Sequence, residues 1–469
     1  MFASAASAGP YHDPDHARGE LPAPSARDTE LAGLRASLDR MYAHRAEKIA
    51  RYAIDEDALF AAAKQRLAAA TTWAQYDAAI YDALAAFHDG HLTYKPPATA
   101  APSEGYASWS LGFSTVLAGG RLLVASVEPG GSVAAAGIAP GDEVVAIDGV
   151  TTADELARVG AARAVSRPES ATTTFARTWT TVLYPKRETT ARARTVRFAR
   201  RRGGEEHASE GTLASSAAEG RRGSIDVTIA PALATEPKRP PIAVAQDRNG
   251  VAIVTVHSLD GDLQRAALVD DTLAAARTQA AATGIAIDLR GVRGGVDLVG
   301  YRVVGDLAEG APSLGSYRVL LAPDTLAKRP KWQSLAGTAD AHGFSPPQPL
   351  TVTGLAAGLG YRGKVAVIID AACASTCEVV AAALRADLHA IVVGATTAGS
   401  SGAPVQIELP ASRGRVGVPT WELTSADGKP IEDDGVAPDL AVDATPDALA
   451  AGVDLPLQTA IDRIAQKSR

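Results

Sequence analysis

The stretch DAACASTCEVV, residues 370–380, sets Ser375 among small side chains where an apolar run, VAVIID (365–370), meets a helix-like run, EVVAAALRA. A serine at such a corner is a candidate nucleophile. The first turn of a helix leaves backbone N–H groups unpaired and carries the positive end of a dipole, so the N–H of Thr376 would face an oxyanion. A second stretch, RGVRGG (290–295), closes the run GIAIDL. Glycine lets the backbone approach a substrate closely, so the N–H of Gly294 or Gly295 would complete an oxyanion hole. Each feature also has a plainer reading. A serine at a strand–helix junction is commonly an N-cap, and a glycine-rich turn is commonly only a turn.

The elements that must position these residues follow from periodicity. From about residue 241 the texture alternates: GVAIVTVHSL reads as a strand, LQRAALVDDTLAAARTQAAA as a helix, GIAIDLRG as a strand and VDLVGYRVVGDLA as a helix. VAVIID, EVVAAALRA and AIVVGAT repeat strand, helix, strand. Such alternation implies a sheet covered by helices, with reactive groups where strands end and helices begin. Nearer the start, Leu31, Leu34, Leu38 and Met41 recur at helical spacing. So do Trp73, Tyr76, Ile80, Leu84 and Phe87 behind a capping Thr72, with the helix expected to end at Asp89–Gly90. His91 follows at once, and His88 lies one turn earlier. Between the two regions, SLGFSTVL, RLLVASV and DEVVAIDG are short β-type runs separated by Gly- and Pro-containing turns, with a small helix in GGSVAAAGIAPGD. TVRFARR, within a basic stretch, alternates like a solvated edge strand. EEHASEGTLASSAAEGRRG reads as an exposed loop and PALATEPKRPP as a linker.

Composition bounds what this assembly can do. A chain of 469 residues needs more than one core. The net charge of −7 supplies no basic field for nucleic acid. No apolar run approaches the roughly 18 residues of a membrane span. Cys373 and Cys377 flank Ser375; a pair is too few ligands for a usual metal site, and both a short-span disulfide and two inert buried thiols stay open. Neither H-E-x-x-H nor a phosphate-binding G-x-x-x-x-G-K-[ST] loop occurs, so no metal or other cofactor is expected.

Taken in order, AIDLRGVRGG, CASTCEVVAAAL, AIVVGATTAGSSG and DGKPIEDDGVAPDL resemble the tail-specific, or C-terminal-processing, serine peptidases and the related tricorn-core modules. SLGFSTVL with VEPGGSVAAAGIAPGDEVVAIDGV resembles a PDZ domain. The resemblance covers roughly residues 27–445. It implies a multi-domain α/β protein: a disordered leader over 1–26, an N-terminal helical domain over 27–100, and a PDZ-like β domain with an extended insertion over 105–235. A crotonase/ClpP-like α/β protease core over 241–445 and a C-terminal helix or tail over 446–469 would complete it. Leu111, Gly112 and Phe113 would form the PDZ loop that binds a peptide carboxylate.

Many members of this family use a lysine 25 residues after the serine. Here that position is Ser400, in TTAGSSG, and no lysine occurs between Lys364 and Lys429. A neutral hydroxyl cannot accept the serine proton. HDGHLTY (88–94) resembles the D-G-H segment of tricorn-like members, which implies Ser375 as nucleophile and His91 as general base, with His88 the rival. The tricorn serine that precedes this histidine is replaced by Gly90. Asp89, Glu422 and Glu432 are candidates to orient the base, Glu432 first, with Ser400 and Ser401 as auxiliary hydrogen-bonding groups. The implied activity is endopeptidase hydrolysis of a polypeptide substrate, with the PDZ loop presenting or gating its C-terminus. An inactive peptide-binding module and a crotonase-type acyl-CoA enzyme are the alternatives. The paired cysteines and the family point to an extracytoplasmic protein, periplasmic or secreted, although MFASAASAGP is no complete signal and a cytoplasmic location stays open. Oligomeric state is also open, a homo-oligomer included.

Overall fold

The computed structural model describes residues 18–97, 106–161, 165–185, 192–201, 221–234, 240–279 and 283–466. The chain begins with helices α1 (Pro24–Met41), α2 (Arg45–Tyr52), α3 (Glu56–Ala69) and α4 (Trp73–Ala85), followed by strand β1 (Thr93–Lys95). Residues 1–17 of the expected leader lie outside the described residues. Residues 18–26 are ordered, contrary to expectation: Arg18 pairs with Asp77 at 2.6 Å and lies 3.7 Å over the Trp73 ring, and α1 starts at Pro24. Thr72 caps α4 by accepting the Gln75 N–H. That helix stops short of the expected Asp89–Gly90 end. His88 takes a φ of 52°, and the reversal turns Asp89 inward, where it is buried.

These helices share a core with later strands. Leu34, Leu38, Tyr76 and Ile80 pack in one cluster with Val405, Val416 and Val418, and β1 pairs with a strand at 415–418. The N-terminal region is therefore fastened to the far end of the chain, which places residue 91 beside residues 375 and 400.

The middle unit comprises β2 (Tyr106–Ser110), β3 (Phe113–Ala118), β4 (Arg121–Val127), α5 (Ser132–Ala135), β5 (Glu143–Ile147), β6 (Val150–Thr151), α6 (Thr152–Gly160), α7 (Pro168–Thr178), β7 (Thr181–Pro185), β8 (Arg194–Arg201), β9 (Arg221–Ile229) and β10 (Ala232–Leu233). Its main sheet runs β3-β4-β5-β8-β9. TVRFARR, expected at an edge, is β8 in the interior. Val196 and Phe198 fill the core while Arg197 pairs with Asp226 at 2.7 Å on the outer face. Alternation alone does not tell an edge from an interior strand. Most of the expected 205–223 loop lies outside the described residues, and residues 221–223 belong to β9. Ala232 and Leu233, expected in a linker, pair with β2.

The last unit contains β11 (Ile242–Gln246), β12 (Ala252–Val256), α8 (Leu263–Gln279), β13 (Gly284–Asp288), α9 (Asp297–Gly305), β14 (Ser313–Val319), α10 (Pro323–Lys328), β15 (Gln348–Thr351), β16 (Lys364–Ile369), α11 (Thr376–Leu388), β17 (Ile391–Gly394), β18 (Val405–Glu408), β19 (Arg415–Val418), β20 (Trp421–Thr424), β21 (Leu440–Ala441), α12 (Pro446–Ala450) and α13 (Leu455–Ala465). The central sheet runs β11-β12-β13-β16-β17-β21, parallel from β12 onward. α11 is buried on almost every side, as the run EVVAAAL requires of a helix apolar all round. The segment expected as a C-terminal helix or tail forms helices that cover the opposite face of the sheet: Ala460, Ile461 and Ile464 of α13 pack on Ala286, Ala366 and Ile368.

Truncating Phe198 in the interior strand is expected to destabilise the middle unit by about 3–5 kcal/mol, measured by urea unfolding. Arg197→Ala on the solvated face is expected to leave the midpoint where it was, and equal losses would return β8 to the edge.

Candidate active site

Ser375 ends the turn that leaves β16 and enters α11, with φ 59° and ψ −124°. A non-glycine residue there costs of the order of 1–3 kcal/mol, so neighbouring contacts must impose it. Glu378, one turn into the helix, does so. Its fully buried carboxylate accepts the N–H of Ser375 (2.8 Å), Gly399 (2.8 Å) and Ser400 (3.0 Å) and the Thr397 hydroxyl (2.5 Å). Burial pushes this carboxyl up to about 7, against the pull of those four donors. The Ser375 N–H is shared with the Ser400 carbonyl at 3.0 Å, which binds the Ser375 turn to the loop at 397–400.

His91 meets this corner from the N-terminal region. Its Nε2 lies 3.1 Å from Ser375 Oγ and its Nδ1 lies 2.9 Å from Ser400 Oγ. Asp89 fixes the backbone below by accepting the His91 N–H at 2.8 Å. Burial lowers the imidazole's affinity for a proton below the ordinary 6.5, so the ring is neutral at pH 7. Ser400 Oγ sits where a side chain on residue 90 would go: a Cβ there would lie 2.6 Å from it. Gly90 thus leaves room for a hydroxyl supplied from elsewhere in the chain.

Opposite Ser375 is the glycine turn. Gly294 has φ +87°, and a Cβ on it would come within 2.8 Å of Ser375 Cβ, so only glycine allows this approach. Among the described residues, no hydrogen bond engages the N–H of Gly294, Gly295 or Thr376. Asp370, which the sequence did not single out, joins the two turns. Its Oδ1 accepts the N–H of Gly291, Ala372 and Cys373 at 3.0, 3.1 and 3.2 Å. Cys373 and Cys377 form a disulfide around Ser375.

The other expected residues are placed differently. His88 stacks on Tyr52, with ring centroids 4.1 Å apart, and its carbonyl accepts from Lys48. Glu422 pairs with Arg318 at 3.1 Å. Glu432, the preferred orienting acid, has no hydrogen bond to His91. It accepts the Ser401 N–H at 2.8 Å, the Ser166 hydroxyl at 2.7 Å and Lys48 Nζ at 2.6 Å. The group on His91 Nδ1 is Ser400, expected only as auxiliary. Two N–H groups of the expected carboxylate-binding loop have partners within the chain: the Leu111 N–H donates to the Thr180 carbonyl and the Gly112 N–H to Ser110 Oγ, both at 2.9 Å.

Below His91 lies a buried charge cluster of which the sequence singled out only Asp89 and Glu432. Lys48 Nζ also reaches Asp433 Oδ1 at 2.5 Å. His44 sets Nδ1 against Asp89 (2.8 Å) and Nε2 against the Trp421 carbonyl (2.8 Å). With an acceptor at each nitrogen the imidazolium is favoured. Burial opposes that charge, but the nearby Glu432 and Asp89 carboxylates carry its pKa up to about 9. His44, Asp89 and Glu432 lie close enough to suit a metal ion. A protonated His44 and a lysine on Glu432 fill that role with protons instead.

Residues 250–442 match the family model for peptidase family S41, and residues 107–170 match that for the PDZ domain. No curated protein sequence matches the chain. Among solved structures, mature CPAF complexed with lactacystin is similar with a TM-score of 0.64 at 15% identity, over 94% of this chain and 98% of that one. The photosystem II D1 C-terminal processing protease gives 0.50 at 17% identity, over 94% and 98%. These likenesses show the fold: a helical N-terminal region, a PDZ domain and an α/β core.

Lys48→Met removes one partner of a buried cluster and is expected to cost about 3–5 kcal/mol, read from urea unfolding at pH 7. His44 should add a pH signature. Its folded pKa of about 9 exceeds the ordinary 6.5, so its contribution is complete below pH 6.5 and is lost as pH rises through about 9. The unfolding midpoint is expected to fall across that window, and His44→Asn to flatten the slope.

Proposed function

We propose, for a chain whose residues 250–442 match peptidase family S41 and whose residues 107–170 match the PDZ domain, that it is a serine endopeptidase working through Ser375 and His91. The observation that carries the reading is the Ser375 Oγ to His91 Nε2 contact of 3.1 Å, made by a ring whose other nitrogen meets a hydroxyl. For Nε2 to accept the Ser375 proton, Nδ1 must carry the other one and donate it to Ser400 Oγ. Ser375 Oγ then attacks the scissile carbonyl carbon while His91 takes its proton. The N–H groups of Gly294, Gly295 and Thr376 face the resulting oxyanion. Collapse breaks the C–N bond, and His91 returns the proton to the leaving amine. Water, deprotonated by the same ring, hydrolyses the acyl-enzyme.

In this reading Ser400 orients the base directly, and Glu432 acts one contact further out through the Ser401 N–H. The Cys373–Cys377 disulfide supports an oxidising, extracytoplasmic setting. Among the described residues no helix is long and apolar enough to cross a membrane.

The test is intact-mass labelling with a fluorophosphonate. One adduct is expected on the wild type, none on Ser375→Ala, and labelling slower by on the order of 10²–10⁴-fold on His91→Ala. Ser400→Ala is expected to slow it by on the order of ten- to a hundredfold, through a misplaced ring. Because burial lowers the His91 pKa, the rate should fall on the acid side only below pH 6.5 and be flat at neutral pH. A well-folded wild type that takes no label, or a His91→Ala variant that labels normally, would overturn the assignment.

A further inference from the structure

PDZ domains bind a polypeptide tail as an added strand on a free sheet edge, with the carboxylate on nearby loop N–H groups. Here β3 is the edge strand of its sheet, and α7 packs along it. The Thr115 hydroxyl, on β3, donates to the Ala176 carbonyl and accepts from Trp179 Nε1 at 2.8 Å. The Trp179 ring stands edge-on to Phe113, centroids 5.5 Å apart, and Ala176 is wholly buried. Just beyond the helix, the Thr180 carbonyl takes the Leu111 N–H that a carboxylate would need. On its far side α7 packs against α6: a Cβ on Gly160 would lie 3.6 Å from Thr172 Cγ2 and 3.7 Å from Pro168 Cβ. The place of a peptide strand is filled by the chain itself.

Both ends of this helix reach the candidate active site. Before its first turn, Ser166 Oγ donates to Glu432, whose other oxygen takes the Ser401 N–H beside Ser400. In its last turn, Arg177 Nε donates to Asp370 Oδ2 at 2.6 Å. Asp370 is the carboxylate that ties the glycine turn to the nucleophile turn.

We propose that α7 is the PDZ domain's own ligand, and that Ser166 and Arg177 are positioning residues through which the domain braces the site at Ser375 instead of capturing substrate tails. The bracing half rests on the reading of Ser375 as nucleophile; the occupied groove does not.

Two measurements on the full chain test this separately. The first is hydrogen exchange on the Ser375→Ala protein, with and without about 1 mM of a short peptide bearing a free apolar C-terminus, the C-terminal amide serving as control. No carboxylate-dependent change over residues 113–118 or 168–178 is expected. Protection of β3 together with loosening of α7 would overturn self-occupation. The second is peptide hydrolysis by Arg177→Ala and Arg177→Lys. The alanine variant is expected to lose on the order of tenfold or more in kcat with KM within about twofold, and the lysine variant to recover part of it with α7 exchange unchanged. Should Arg177→Ala misfold, Ser166→Ala supplies the same comparison at the other end of the helix. An unchanged kcat, or a change confined to KM, would overturn the bracing role. If the wild type itself neither labels nor hydrolyses, the nucleophile assignment fails, and the exchange experiment still decides the groove.

Discussion

A single buried carboxylate governs the corner at Ser375. Glu378 has no water to share its charge, so the protein must saturate it with donors. The four it takes come from two segments, residue 375 on one side and residues 397–400 on the other. Satisfying that carboxylate and building the site are thus the same event. Ser375 and Ser400 offer their N–H groups to one oxygen, which fixes how far apart their side chains stand. The unfavourable φ of Ser375 persists because leaving Glu378 short of a donor would cost more.

A second layer of charge lies beneath the first. Three acids, Asp89, Glu432 and Asp433, face two cations, His44 and Lys48, away from solvent. Such clusters give little net stability over an apolar core, but they penalise any rearrangement that strands one member. Here each acidic residue is also tied to the layer above: Asp89 accepts the His91 N–H, Glu432 accepts the Ser401 N–H, and the Asp433 N–H donates to the Gly399 carbonyl. The choice of residue 400 fits the same logic. A proton-bearing Nδ1 needs an acceptor, and a lysine ammonium has none to offer, whereas a serine hydroxyl does.

How much of this was legible in the sequence depended on the range of the interaction. The strand–turn–helix around Ser375 and the glycine turn at 290–295 are local patterns, and periodicity with turn chemistry exposed them. The absent lysine at position 400 was visible because it is a single residue in a short turn. What Ser400 does instead was not, since its contact with His91 spans 309 residues. Lys48, His44, Asp370 and Arg177 gave no local signal either, being ordinary charged residues whose partners are set by tertiary packing. Glu432 is one acid among three candidates in the sequence; whether it touches the ring or stands one group behind it is set by tertiary packing that composition does not encode. TVRFARR misled for a related reason, because the strand that makes β8 interior lies beyond a stretch with little pattern.

Ser375 and His91 are 284 positions apart. A nascent chain therefore carries His91 long before Ser375 exists to meet it, and residues 250–442 alone would contain the serine without the histidine. The Ser375–His91 contact forms only once the first helices have docked on the last strands. On the proposed reading, a chain built this way is inert while it is still an unfolded polypeptide among others, and the boundaries of its family match are not the boundaries of the candidate site.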